Sequence, residues 1–484
     1  MQDSLTVVDL LEKNAAASPA DPAVVTSEKT LSYGDLAATA RRIASGICKQ
    51  TSRPVIALFF PMSPEFVAAY FGVQYAGRQA LPLNLLLPPE QLKYILVDSG
   101  AEAVIAPDDF APKLEPLGVK VLKYSELARS ESNPALPSPK AEDISTLLYT
   151  SGTTGMPKGV VLTHRNLASN AKNSVEAMRL DKSSRLLACL PSFHTFAITG
   201  TMLAPIACGA SLATVPKFDP ELVLKVASGL KCDVLMMVPS MYRLVTRMQE
   251  RRPFDMKHLR LAVAGGEALP DEVGVQFEKT FGIPLLQGYG QTESGPVISF
   301  NMPWANTPGT VGKTIPGVSV KIVDPDTLQD VTGKGTGEIW AKGPNIMKGY
   351  HNKPDETAKT LTSDGWLRTG DMGEVTPEGY IRITGRLREM IKVAGEMVFP
   401  AEVENALSSH PAVLEVGVAG AKDERKGEIV KAYVVLKPDQ TATEEQLLQH
   451  CRGLLASYKV PKVIEFRPEL PKGPTGKVMR RLLK

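Results

Sequence analysis

Between residues 31 and 287 the sequence keeps switching between two patterns, and that switching limits the folds open to it. Residues 54–60, Pro-Val-Ile-Ala-Leu-Phe-Phe, form a continuous apolar run, as a strand buried on both faces requires. Further strand-like runs fall at 80–84, 233–238, 261–264 and 284–287. Helical stretches at 64–76, 89–97, 221–228, 240–251 and 270–281 separate them. Strand–helix alternation of this kind builds parallel sheet, because parallel neighbours must be joined by a crossover rather than a tight turn. A chain of 484 residues is too long for one core, so the alternation is expected to divide between two α/β subdomains. From 310 to 383 the texture changes to short strands and Gly/Pro turns, as in a small barrel-like or mixed β region. Beyond 385 an α+β pattern follows, with helices at 400–408 and 444–455 and strands at 413–418 and 429–436.

One stretch breaks this pattern with chemistry. Tyr149-Thr150-Ser151-Gly152-Thr153-Thr154-Gly155-Met156-Pro157-Lys158-Gly159 lies between two apolar strand runs, 144–148 and 160–162, and Asn166 is placed to cap the next helix. Its glycines let successive backbone N–H groups turn into one concavity, the geometry that holds phosphate oxygens. Ser151, Thr153 and Thr154 add hydroxyl donors, and Lys158 adds a point charge for the outer phosphates. It is not a Walker loop, in which Gly-Lys-Ser/Thr opens a helix; here Pro157 precedes the lysine and a strand follows. A flexible linker shares the composition but not the flanking strands.

A second motif, Gln287-Gly288-Tyr289-Gly290-Gln291-Thr292-Glu293, leaves a predicted strand. Tyr289 offers an aromatic face to a base, and Gly288 and Gly290 let a ligand approach the backbone closely. Thr292 is a hydroxyl donor, and Glu293 is a hard oxygen ligand of the kind Mg²⁺ accepts beside phosphates. Asp371 is placed to accept ribose hydroxyls, although an aspartate after glycine also suits an ordinary turn. Pro471-Lys472-Gly473-Pro474-Thr475-Gly476-Lys477 carries a lysine on a glycine-containing loop, which in isolation reads as a plain tail.

Together these separated motifs resemble the adenylate-forming superfamily of acyl- and aryl-CoA synthetases, luciferases and peptide-synthetase adenylation domains, and the resemblance covers the chain from about Leu31 to Lys484. The resemblance implies a large α/β N-terminal domain over 1–387, with two parallel-sheet subdomains and a small β-barrel-like region, and a mobile α+β C-terminal lid over 388–484. It implies that the loop from Thr150 to Lys158, including Gly152, holds the departing pyrophosphate. Gly265, Gly266 and Glu267 would face Gln287, Gly288 and Tyr289 across the adenine, and Asp371 and Arg386 would share the ribose. Glu293 and Thr154 would hold Mg²⁺, while Lys477 and Thr292 stabilise charge on the α-phosphoryl oxygens. The hinge falls on Arg388, where relatives more often carry Lys or Asp, and Lys392 and the Gly395 loop would serve the thioester step beside a pantetheine channel.

The implied acyl pocket is lined by Phe193, His194, Met237 and Gly288, with His194 either orienting the substrate carboxylate or sitting as a core histidine. Malonate-type synthetases place arginine at the Gly288 position, so a short diacid is disfavoured and the apolar lining points to a medium- or long-chain fatty acid. The implied activity is that of an acid–CoA ligase using ATP, Mg²⁺ and coenzyme A, through an acyl-adenylate. An aryl acid is the next substrate class, and transfer to a separate carrier protein or a luciferase-like oxygenation are other outcomes for the adenylate. A catalytically silent sensor would not need Lys477, Asp371, Arg386 and Glu293 together.

Net charge is only +3, too small to argue for nucleic acid or anionic membrane as partners, and no nucleic-acid partner is expected. Five dispersed cysteines without a Cys-x-x-Cys suit reduced thiols in a cytoplasmic protein. The N-terminus lacks a signal-type apolar core. Residues 186–216 carry no formal charge and are long enough to span a bilayer, but Pro191, Gly200, Pro205 and Gly209 break them up. They read as a buried helix followed by a strand, in a monomer or homodimer without a transmembrane segment.

Overall fold

The computed structural model describes residues 4–133, 135–150, 156–394, 396–423, 427–471 and 478–483. The alternation resolves into two sheets. One has nine strands and runs parallel from Leu285–Gly290 through Leu261–Ala264, Val234–Met237, Arg185–Ala188 and Ser211–Thr214 to Pro22–Val25. Antiparallel edges complete it: Val297–Phe300 and Lys313–Thr314 on one side, Thr30–Ser32 on the other. The other has seven strands and runs parallel from Ile144–Thr150 through Gln79–Pro82, Val55–Leu58 and Ala103–Ala106 to Lys120–Lys123. Val55–Leu58 is buried at every position, as its unbroken apolar run required. The crossover helix Pro64–Tyr75 is buried everywhere except Glu65, and each large apolar side chain so placed contributes about 1.5–3 kcal/mol relative to exposure.

The uncharged stretch 186–216 is not one helix and a strand. It opens on the strand Arg185–Ala188, passes through a wide π-helical segment Phe196–Leu203 and the short helix Ala204–Cys208, and ends in Ser211–Thr214. Both strands lie inside the parallel sheet, which accounts for the missing charges. Among the described residues no helix is long and apolar enough to cross a membrane.

Asn166 does not cap the helix His164–Met178. Thr163 does, accepting from the Asn166 backbone N–H, while the Asn166 side chain accepts from the Thr163 N–H. This is a reciprocal capping box, with Asn166 three residues inside. Beside it His164 is buried, and its Nδ1 accepts from the Val7 N–H at 3.3 Å. Burial pushes its pKa down to about 4 despite the nearby Asp143 and Asp9.

The described residues pack as two compact units, Met1–Val320 with Ala341–Arg368, and Lys321–Trp340 with Thr369–Lys484. The short strands of 310–383 do not gather into one barrel. Lys313–Thr314 joins the nine-stranded sheet and Gly349–Tyr350 the seven-stranded one, while Ser319–Val323, Gly337–Lys342, Leu367–Val375 and Ile381–Arg386 form a separate four-stranded sheet. Short strands satisfy their backbone groups on whichever edge is nearest in space, which local sequence does not reveal. The second unit also holds a five-stranded sheet built around Gly427–Leu436, with the helices Pro400–Ser408 and Glu444–Arg452. Its own apolar core includes Val398, Val403, Leu407, Val418 and Leu447.

Candidate active site

In the first unit the strands on either side of the phosphate-loop stretch pair antiparallel, with Thr150 opposite Lys158. Ser151, Gly152, Thr153 and Thr154 lie outside the described residues. Lys158 is described, and its side chain is largely withdrawn from solvent. Nζ meets Glu356 Oε2 at 2.5 Å and stands 5.6 Å from the centre of the Tyr350 ring. Glu356 lies in the first turn of the helix Pro354–Thr360, and hydrogen bonds from Lys158 and Lys359 hold its carboxyl below the usual range.

The second motif leaves the strand Leu285–Gly290 and makes one 3₁₀ turn at Thr292–Ser294. Thr195 and Thr292 share a hydroxyl–hydroxyl bond of 3.0 Å. Tyr350 donates its phenol to Glu293 Oε1 at 2.8 Å, and Met347 N–H donates to the Glu293 carbonyl at 2.9 Å. Burial and the neighbouring Glu293 push the Tyr350 pKa well up, so the phenol remains a donor. Glu293 Oε2 has no hydrogen-bond partner among the described residues.

Buried amides hold this turn. Asn170 exchanges hydrogen bonds with both the N–H and the carbonyl of Val297, and Asn345 donates to the Ser294 carbonyl at 2.7 Å. The motif glycines are also required by the chain itself. A Cβ on Gly290 would stand 2.0 Å from the Pro296 carbonyl oxygen, and one on Gly288 would press on Phe300 at 3.2 Å.

Gly265 and Gly266 end the strand Leu261–Ala264, with Gly265 N–H bonded to the Met237 carbonyl and Gly266 in the left-handed region at φ +79°. Glu267 follows, half-buried. Gln287 is tied by its carbonyl to Asn301 N–H, and Tyr289 pairs across the strands with Ser299. Met237 is fully buried. The Phe196 ring packs where side chains would begin on Gly200 and Gly265, close to Met236. His194 is exposed beside the half-buried Phe193, their rings 4.7 Å apart, so the core-histidine alternative falls away.

In the second unit Asp371 and Arg386 are cross-strand partners, with Arg386 Nε 3.1 Å from Asp371 Oδ1. Asp371 is buried and Arg386 half exposed. Glu338 accepts from the Gly370 N–H and from the Trp340 indole, fixing the strand just before Asp371. Arg388 is half-buried, and burial together with Arg386 lowers its pKa below the ordinary arginine value. Lys392 Nζ stands 3.6 Å from Asp326. Gly395 and Lys477 lie outside the described residues.

Sequence comparison assigns residues 11–351 to the AMP-binding enzyme family and residues 402–477 to the AMP-binding enzyme C-terminal domain. The chain belongs to this family. Over 99% of its length it is 35% identical to a long-chain-fatty-acid–CoA ligase of Bacillus subtilis (strain 168), covering 94% of that protein. It is 31% identical, again over 99% of its length, to 4-coumarate–CoA ligase 1 of Arabidopsis thaliana, covering 92% of it. Its fold matches ATP-bound MatB from Rhodopseudomonas palustris with a TM-score of 0.89, at 30% identity over 98% of each chain. Within the AMP-binding enzymes it stands among the acid–CoA ligases.

Sequence reasoning missed Tyr350, Glu356 and Thr195 in this site. Each touches a motif residue from a distant segment, and none lies in a stretch whose composition marks it.

Proposed function

We propose that this enzyme activates a medium- or long-chain fatty acid as its acyl-adenylate and then forms the coenzyme A thioester, releasing AMP and pyrophosphate. The observation that carries the nucleotide half is the joined pair of motifs in the first unit. Lys158 and Glu293 meet the same tyrosine, and Glu293 keeps one carboxylate oxygen without a partner among the described residues. That oxygen suits Mg²⁺, which takes one or two protein carboxylates and completes its shell with phosphate and water. Among the described residues no group of three acidic, His or Cys side chains competes as a metal cage. When bound, Mg²⁺ supplies Lewis-acid charge beside the phosphates.

In this reading Lys158 and the Thr150–Thr154 hydroxyls and backbone hold the outer phosphates, and the 265–267 and 287–289 segments flank the adenine. Asp371 accepts the ribose hydroxyls, with Arg386 fixing its carboxylate. The substrate carboxylate attacks the α-phosphorus, and Lys477 and Thr292 stabilise the charge that develops on its oxygens. Turning about Arg388, a lid over 388–484 then withdraws Lys477 and presents Lys392 and the Gly395 loop to the thiol. The hinge boundary at 387/388 is thus a division by movement, distinct from the packing units.

Phe196, Met236 and the bare Gly200 support an apolar acyl pocket, as does the 35% identity to a fatty-acid ligase. An aryl acid is the second reading, favoured by the 4-coumarate ligase relative. Pyrophosphate release with ATP and Mg²⁺, run on fatty acids and cinnamic acids with and without coenzyme A, tests both. Multiple turnover on fatty acids only with coenzyme A is expected. Adenylate that coenzyme A never discharges would move the acceptor to a carrier protein, and no release with any acid would make the chain a sensor. Lys477→Ala is expected to lose about 10²–10³ in adenylation rate.

A further inference from the structure

Tyr350 belongs to neither motif yet touches both. It is held there from several sides. Its strand Gly349–Tyr350 pairs with Val161 and Val160, the strand that leaves the phosphate loop. Lys348 N–H bonds to the Val161 carbonyl and His351 N–H to the Gly159 carbonyl at 2.7 Å. Tyr350 N–H bonds to Thr357 Oγ1, and Met347 N–H to the Glu293 carbonyl. Residues 347–351 therefore stitch the 293 turn to the strand at 159–161 and fix the backbone from which the tyrosine ring projects.

Its two ends do different work. The ring face lies beneath the Lys158 ammonium at 5.6 Å, within the range in which an aromatic quadrupole attracts a cation. The phenol donates to Glu293 Oε1 at 2.8 Å, which orients the carboxylate and leaves Oε2 without a partner among the described residues. A donor on one oxygen of a ligating carboxylate is the usual way a protein fixes that ligand.

We infer that Tyr350 is a positioning residue that sets the phosphate lysine with its ring and the magnesium carboxylate with its hydroxyl. This rests on the roles proposed above for Lys158 and Glu293. The two ends separate by substitution, because Tyr350→Phe removes only the hydroxyl and Tyr350→Leu removes the ring as well.

The test is calorimetric binding of ATP to the full chain, once with Mg²⁺ and once with EDTA, with Glu293→Gln as reference. For Tyr350→Phe we expect MgATP affinity to fall about tenfold, the loss of one hydrogen bond to a charged group, while metal-free ATP binds as in the wild type. The Mg²⁺ concentration for half-maximal adenylation should rise in parallel. For Tyr350→Leu, metal-free ATP should weaken as well, by about five- to thirtyfold for a cation–π contact largely withdrawn from solvent. Equal loss with and without Mg²⁺ in Tyr350→Phe, or no loss in either, overturns the inference. Should Tyr350→Leu not fold, the near-isosteric phenylalanine variant decides alone. If Glu293→Gln keeps the full Mg²⁺ dependence, the magnesium role of Glu293 itself is wrong, an outcome distinct from a Tyr350→Phe that fails beside a Glu293→Gln that behaves as expected.

Discussion

Acidification should weaken the scaffold beneath the phosphate hairpin through one buried side chain. Folded His164 stays neutral down to a pKa of about 4, whereas its ordinary value is 6.5. Between those values the unfolded chain binds a proton that the folded chain refuses, so stability is complete above pH 6.5 and falls as the pH falls through the window. At 1.36 kcal/mol per pH unit the whole window is worth about 3 kcal/mol, of which about 2 kcal/mol is lost between about pH 7 and about pH 5. His164 is 1% exposed, so solvent screening does not reduce that figure much. Carboxylates titrate at the lower end of the same range, and a variant isolates the histidine. His164→Asn offers an oxygen to the Val7 N–H in place of Nδ1 but cannot be protonated. Urea unfolding of both proteins at the two pH values gives the difference directly. If the gap between wild type and His164→Asn does not shift by at least about 1 kcal/mol on acidification, the assignment of a neutral, desolvated His164 is wrong.

Gly290→Ala should destabilise the first unit by about 3 kcal/mol or more, since its Cβ would stand 2.0 Å from a carbonyl oxygen of the same turn. Gly274→Ala, in the helix Asp271–Phe281 with nothing nearer than 3.9 Å, should instead stabilise by about 0.5–1 kcal/mol, and urea midpoints compare the two. Asp371→Asn should raise the KM for ATP by about tenfold, the cost of one charged hydrogen bond, while a nucleotide lacking both ribose hydroxyls should lose that discrimination. Glu356→Gln neutralises the carboxylate 2.5 Å from Lys158 and should lower the KM for ATP about threefold to tenfold; an unchanged or higher KM would refute competition between Glu356 and phosphate for the lysine.

Local pattern carried most of the architecture. Residues 54–60 announced a doubly buried strand because a parallel strand has no polar face to show, and the structure buries Val55–Leu58 throughout. The Asp371–Arg386 pair was legible because both residues sit inside marked motifs, and the antiparallel register places them opposite one another. What local pattern misses is partnership across long separations. Lys158 and Glu356 are 198 residues apart, and nothing in Lys353-Pro354-Asp355-Glu356 distinguishes a counter-ion from a helix start. Gly290 was recognised as a glycine that must be a glycine, but the local pattern did not show the close approach of Pro296 in its own turn. The reading of 310–383 as barrel-like or mixed β did not assign each strand to its sheet, for the same reason as Tyr350 was overlooked: two-residue strands such as Gly349–Tyr350 take their meaning from the edge they join.

That short strand also fixes an order of events at the ribosome. Lys158–Thr163 has Ile144–Thr150 on one side and Gly349–Tyr350 on the other. A nascent chain some 300 residues long already contains the nucleotide loop, yet the strand leaving it presents a bare row of N–H and C=O groups, and such edges invite pairing with other chains. Only when residues 347–356 emerge is that edge covered, and in the same stroke Glu293 gains its tyrosine and Lys158 its carboxylate. Joining of the two phosphate motifs and protection from aggregation are therefore one late step in synthesis, and a chain cut short before Gly349 should be sticky as well as inert.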